Sequence, residues 1–219
     1  MTWNEFIKGL ESLDWKQDTP ETFNKVEALL KGISQNPEEL EKRCQEIVSN
    51  PDLLQNYKPH MSYPNKIMDI FVLYLAPDNG FAVRMHRLKT KQDNAHKIPQ
   101  VHSHEWSYST LILKGSYQER NYQVNSMSEE NHTAQLALIE DHVLTANEIN
   151  TGMAGTPHIT INHEEESCIT LFVRGNFQGT GFKVYQMEEG TFTFSDGKFK
   201  QAEETVLCRE LMRIGRLQS

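Results

Sequence analysis

The chain is poor in cysteine and has no long apolar run. Its 219 residues include three cysteines, Cys44, Cys168 and Cys208, with no CxxC pair among them. An odd number at such wide spacing makes neither a disulfide framework nor a thiolate zinc site. The opening residues, MTWNEFIKGLESLDWKQD, lack the apolar core of a secretory leader. Nowhere does the sequence approach the roughly 20 apolar residues of a membrane helix. The expectation is a cytoplasmic protein in a reducing compartment, without a membrane partner. Basic clusters are missing too: 22 Lys and Arg stand against 30 Asp and Glu, a net charge of −8. Phosphate backbones are held by Lys and Arg, so nucleic acid is not an expected partner. GxSxG, GxGxxG and the P-loop are absent, as are internal repeats and low-complexity segments.

What is present divides into two stretches, with enough Leu, Ile, Val and Phe for one core. Residues 1–67 read as a helical segment. Trp3, Phe6, Ile7 and Leu10 form one stripe at helical spacing. Thr19 then caps a helix with Pro20 in its first position and Phe23, Val26, Leu29 and Leu30 on the buried face. Asn36-Pro37 and Asn50-Pro51 repeat the start signal. From residue 68 to 219 the pattern is that of strands, with a mixed C-terminal tail that suits a short helix or strand. Two apolar runs flank Asn79-Gly80, a hairpin signal. Strands follow near 102–114, 116–124, 134–140, 142–145, 157–162, 167–174 and 181–187, with another hairpin around Asp196-Gly197. Short strands broken by Gly, Asn and Asp predict an antiparallel sandwich or barrel.

Nine histidines are spread along the chain. His102 and His104, in PQVHSHEWSYSTLILKGSY, stand out. Residues i and i+2 of a strand share a face, so the two imidazoles sit about one metal ion apart. Imidazole is the commonest metal ligand and suits Zn, Fe, Cu and Ni. If the strand is regular to Gly115, Trp106, Tyr108, Thr110 and Ile112 continue that face, while Glu105 points away. A second segment, MAGTPHITINHEEESCITLFVRG, opens a strand with His158 after a glycine turn. Two strands contributing three ligands leave coordination positions open, as a catalytic metal needs.

These residues resemble the cupin superfamily. His102, His104 and Gly115 fill the histidine and glycine positions of its first motif, and Gly155, His158 and Asn162 those of its second. Tyr108 stands at the glutamate position and Met153 at the proline position. The resemblance covers roughly residues 68–187. It implies a mainly β fold, a double-stranded β-helix (jelly-roll) barrel preceded here by the helical segment, with a metal held by His102, His104 and His158. With Tyr108 in place of the carboxylate, the site resembles that of three-histidine enzymes such as the thiol dioxygenases, of which cysteine dioxygenase is one. That likeness implies Fe(II), with Zn, Mn or Ni as alternatives.

Three neutral ligands leave the full charge of the ion and favour an anionic substrate. Such a substrate calls for a cation, and Arg84 alternates with Phe81, Val83 and Met85, which puts it with His86 on the opposite face. Arg174 is a second strand arginine. Buried arginine is costly unless it binds something. Tyr108 can hydrogen-bond a ligand or act as an acid. Cys168 reads as a small buried hydrophobe and His163 as part of an exposed turn. The expected activity is a mononuclear non-haem iron oxygenase using O2 on a small polar molecule, amino-acid-like or thiol-bearing, with Arg84 and Tyr108 placing the substrate. A Zn- or Mn-dependent isomerase, lyase or hydrolase and a non-catalytic binding module are the alternatives. A homodimer is compatible with the resemblance, though no interface can be read.

Overall fold

The computed structural model describes residues 1–17, 19–78, 80–93, 99–176, 181–195 and 201–218. Asn79, His96 and the Asp196-Gly197 turn therefore lie outside the described residues. The chain begins with four helices, α1 (Trp3–Glu11), α2 (Pro20–Ser34), α3 (Pro37–Ser49) and α4 (Pro51–Tyr57). Their starts follow local chemistry. Thr2 and Glu5 form a reciprocal capping box on α1, and the Thr19 hydroxyl accepts from the Thr22 amide, 3.2 Å away, ahead of Pro20. Asn36 precedes α3 without a side-chain cap bond, whereas Asn50 caps α4. Leu29 is only half-buried; Ile33, one turn past Leu30, takes the core position instead.

Strands then form two sheets. The first contains, in spatial order, β1 (Met68–Leu75), β2 (Ala82–Leu88), β9 (Cys168–Arg174), β4 (Tyr108–Lys114) and β7 (Ile149–Gly152). The second runs β3 (Val101–His104), β8 (His158–Ile161), β5 (Ser116–Ser128) and β6 (Thr133–Thr145). It is closed by β10 (Phe182–Gln186) and β11 (Thr191–Ser195). The orders 2-9-4-7 and 3-8-5-6 interleave two Greek keys, so the fold is mainly β, a jelly-roll barrel carrying an N-terminal helical segment. A last helix, α5 (Glu204–Gly215), settles the mixed tail. Among the described residues, no helix is long and apolar enough to cross a membrane.

Two strand expectations are corrected. The stretch 102–114 is two strands in different sheets, because Glu105-Trp106-Ser107 carries the chain across the barrel. The stretches 134–140 and 142–145 are one strand, held continuous by its long ladder with β5. The strand β11 forms a hairpin with β10 across residues 187–190; the turn expected at Asp196-Gly197 lies outside the described residues.

The period-2 alternation of the first sheet decides what faces where. Val83, Met85, Leu111, Ile169, Leu171 and Val173 point outward into one continuous core with Phe6, Leu10, Phe23, Leu30 and Ile47 of the helices. The helices therefore cover this sheet, and the even-numbered residues are turned to the barrel interior. α5 is tied in by a buried ionic cluster. Arg87 donates from Nε to Asp69 Oδ2 and from Nη1 to Glu210 Oε2, both at 2.9 Å. Lys89 Nζ lies 2.6 Å from the same Asp69 oxygen.

Candidate metal centre

His102 and His158 are directly opposed in the β3–β8 ladder. With His104 they place one ring nitrogen each within 4.8 Å of one another. Ring centroids are 4.6 Å apart for His102–His158, 4.8 Å for His102–His104 and 5.4 Å for His104–His158. Among the described residues this is the single such cluster of ligand-type side chains, and no carboxylate belongs to it. Glu105 is exposed and outside it. Gly155 sets the turn that delivers His158: its φ is +81°, which glycine adopts freely, and its amide donates to the His104 carbonyl, 2.7 Å away. Asn162, the last residue of the second motif, is structural. Its amide group donates to the Glu166 carbonyl and accepts from the Glu164 amide, shaping the β8–β9 turn.

The donor set fits a divalent metal. His102 Nδ1 lies 3.0 Å from the Gln100 carbonyl oxygen and His158 Nδ1 lies 3.2 Å from that of Thr156. A carbonyl only accepts, so both Nδ1 atoms carry the proton and both Nε2 atoms present lone pairs. Burial, together with the neighbouring His158, lowers the His102 pKa to about 3. Burial lowers that of His158 to about 4 and that of His104 well below the usual value. All three are neutral at pH 7, the form that binds metal.

The opposite wall comes from the first sheet. Arg84, His86, Phe172, Arg174 and Tyr108 share its interior face, with Arg84 paired to Phe172 and Tyr108 to Arg174 across adjacent strands. Aromatic contacts run along it, at 4.5 Å for His86–Phe172 and 5.1 Å for Phe172–Tyr108. Trp106 stacks on His104 at 4.5 Å, and the Arg174 guanidinium lies 5.9 Å from the Trp106 ring centre. Arg84 Nε is buried and has no hydrogen-bond partner among the described residues. Burial, then the charge of Arg174, lowers the Arg84 pKa to about 9; burial lowers that of Arg174 to about 10. Both remain cations at neutral pH. Arg84 and Arg174 thus both face the interior, and so does His86, whose pKa burial lowers to about 3. Cys168 is fully buried in a small apolar cluster with Ile112 and Tyr117.

Tyr108 lies inside the barrel although the strand that would have continued from His104 is broken. Its ring centroid is 5.4 Å from that of His158 and 6.4 Å from that of His104. Its hydroxyl donates to Glu119 Oε1 over 3.3 Å, and Thr160 Oγ1 donates to Glu119 Oε2 over 2.7 Å. Glu119 is fully buried, and sequence reading misses it. Beside Arg120 it looks like a solvated pair, and the one available signal was its parity with Tyr117 on β5. Gly152 makes room for the tyrosine: a Cβ there would sit 2.4 Å from the Tyr108 ring. Gly152→Ala is expected to displace that ring and cost about 1–3 kcal/mol, read by chemical denaturation; unchanged stability would mean the ring has space to spare.

No family model matches the sequence, and no curated protein matches it. Solved structures similar to it include Fe(II) HppE, at 11% identity and a TM-score of 0.35 over 49% of this chain and 50% of that one. This chain thus spans half the length of that protein. An RmlC-like cupin protein from Ralstonia eutropha matches at 12% identity and a TM-score of 0.40, over 64% and 72% of the two chains. An oxalate decarboxylase from Lactobacillus farciminis, in a formate complex, matches at 14% identity and a TM-score of 0.34, over 51% and 28%. At such identities likeness of shape does not carry a shared reaction.

Proposed function

We propose that this chain is a metal-dependent enzyme, a mononuclear non-haem iron oxygenase acting with O2 on a small polar anion that is amino-acid-like or thiol-bearing. One observation carries the reading: three neutral imidazoles converge with no carboxylate among them, across the barrel from Arg84 and Arg174. His102, His104 and His158 would hold the ion. Bound Fe(II) would supply oxygen chemistry and adjacent open positions, and its identity as iron rests on the resemblance to three-histidine oxygenases. The chain's own residues do the rest. Neutral ligands leave the ion's charge uncompensated, and Arg84 adds a cation that has given up much of its hydration. An anionic substrate satisfies both. Tyr108 reaches the same space with its ring and offers a hydroxyl to the substrate. Trp106, Phe172 and Phe182 line it with apolar surface that limits water.

Elemental mass spectrometry of untagged protein tests this. About one iron per chain is expected in the wild type. His102→Ala and His158→Ala are expected to lower metal affinity by on the order of a hundredfold or more, since even residues that only orient a ligand cost 10- to 100-fold. Oxygen uptake with small thiols and amino acids would follow. Stoichiometric zinc would turn the reading towards a hydrolase or isomerase. A folded wild type that takes up no metal would overturn it in favour of a binding module.

A further inference from the structure

One fully buried carboxyl group in the barrel is left unused by the metal reading. Glu119 on β5 is fully buried, and polar groups from three other strands hydrogen-bond it. Tyr108 of β4 donates to one oxygen and Thr160 of β8 to the other. Asn150 of β7 bonds it as well, and His142 of β6 stands directly opposite it in the β5–β6 ladder. Tyr117, on the same face of β5, completes the surroundings. No arginine or lysine pairs with it among the described residues.

This arrangement has a directional consequence. A hydroxyl has one proton. While Glu119 is ionised it can only accept, so Tyr108 spends its proton on Glu119 and has, beside the lone pair that Asn150 bonds, only a lone pair to offer the histidine site. When Glu119 carries a proton, its O–H donates to Tyr108 Oη, and the Tyr108 proton is free to point at whatever occupies the site. The proton taken up by Glu119 comes from water, and Tyr108 stays neutral in both states. Its own pKa is held well above the usual value by burial and by the Glu119 charge. We propose that Glu119 is a positioning residue that acts through Tyr108, deciding whether the tyrosine hydroxyl donates to a ligand at the three-histidine site or accepts from it. The relevance of this to catalysis rests on the metal reading above, whereas the coupling of the two side chains does not.

The switch would operate near neutrality. Burial raises the Glu119 pKa to about 7, against the opposing hydrogen bonds from Thr160, Asn150 and Tyr108 and the nearby His142. Two measurements separate the coupling from the metal reading. The first follows the protonated-carboxyl infrared band of the metal-free protein with pH. A midpoint near 7 is expected in the wild type and none in Glu119→Gln. Tyr108→Phe is expected to move the midpoint upward, because it removes a bond that favours the ionised form. An unmoved midpoint in Tyr108→Phe, or no buried carboxyl titrating near neutrality, overturns the proposal.

The second uses Co(II)-loaded protein with azide as the probe. Wild-type affinity is expected to fall about three- to tenfold between pH 6 and 8, the worth of one hydrogen bond. Glu119→Gln, whose amide donates to Tyr108 at any pH, is expected to hold the high affinity throughout. Tyr108→Phe is expected to be weak at both pH values. His142 is intact in all three proteins, so the difference isolates Glu119. A wild-type slope retained in Glu119→Gln overturns the proposal. A wild type that takes up no cobalt refutes the metal reading instead, and the infrared measurement still decides the coupling.

Discussion

Metal-free protein is expected to unfold under mild acid, between pH 6.5 and about 4, while the metal-loaded form stays folded to lower pH. The cause is the set of histidines held neutral inside the barrel. His158 and His86 are both 5% exposed, with pKa values lowered by burial to about 4 and about 3 from 6.5. A lowered pKa in the folded state means that the unfolded chain binds protons first as the pH falls. The stability these groups contribute is therefore complete above pH 6.5 and is lost as the pH drops towards their folded values. Each shift corresponds to a loss on the order of 3–5 kcal/mol, and two such losses are comparable with the whole stability of a domain. His102 and His104 act in the same direction. Glu119 opposes them: its raised pKa adds stability below about pH 4.5 that is lost as the pH rises through about 7. It is one group against four. A metal bound to neutral imidazoles competes with protons for the same lone pairs, so loading shifts the transition to lower pH. Tryptophan fluorescence against pH, with and without metal, measures both transitions. Metal-free protein still folded at pH 4 would mean that these imidazoles are hydrated.

Arg87→Ala is expected to cost about 3–5 kcal/mol in urea unfolding at pH 7, the range found when one partner of a buried ion pair is removed. Arg87 is the cation between Asp69 of β1 and Glu210 of α5, and all three are nearly inaccessible to solvent. Removing it leaves Glu210 without its partner across the sheet–helix interface and Asp69 with Lys89 and the Asn65 amide. The loss should appear first at α5, as faster amide exchange there than in β2. By contrast, replacing Arg87, Asp69 and Glu210 together with apolar residues of similar volume is expected to be near neutral, because the desolvation cost goes with the charges. A single Arg87→Ala variant as stable as wild type would show that water reaches the cluster.

Local patterns carried much of this molecule. The Trp3-Phe6-Ile7-Leu10 stripe, the Thr19-Pro20 start and the alternation of Arg84 with Val83 and Met85 each depend on neighbours a few residues away, and each is found as read. The two-residue spacing of His102 and His104 is of the same kind. Errors arose where a feature depends on strands distant in sequence. The run from His102 to Gly115 has strand character throughout, so nothing local marks the crossing at Glu105-Trp106-Ser107. The single strand Thr133–Thr145 is held by its ladder with β5, which no residue within it announces. Glu119 was missed for a related reason: a charged residue in a polar strand reads as solvated unless one knows that Tyr108, Asn150 and Thr160 close around it.

The sequence by itself determined the helical start, the β character of the rest, and the histidines with their two-residue spacing, because periodicity and side-chain chemistry are local. Only the tertiary structure decided which side of each sheet is the interior. That choice brought His158 opposite His102, turned both Arg84 and Arg174 inward and set Glu119 behind Tyr108. The physical reason is that strand parity defines two faces without saying which is covered. Here the helices cover the odd face of the first sheet with apolar side chains, and the polar and charged residues and the three histidines are left to face one another across the barrel.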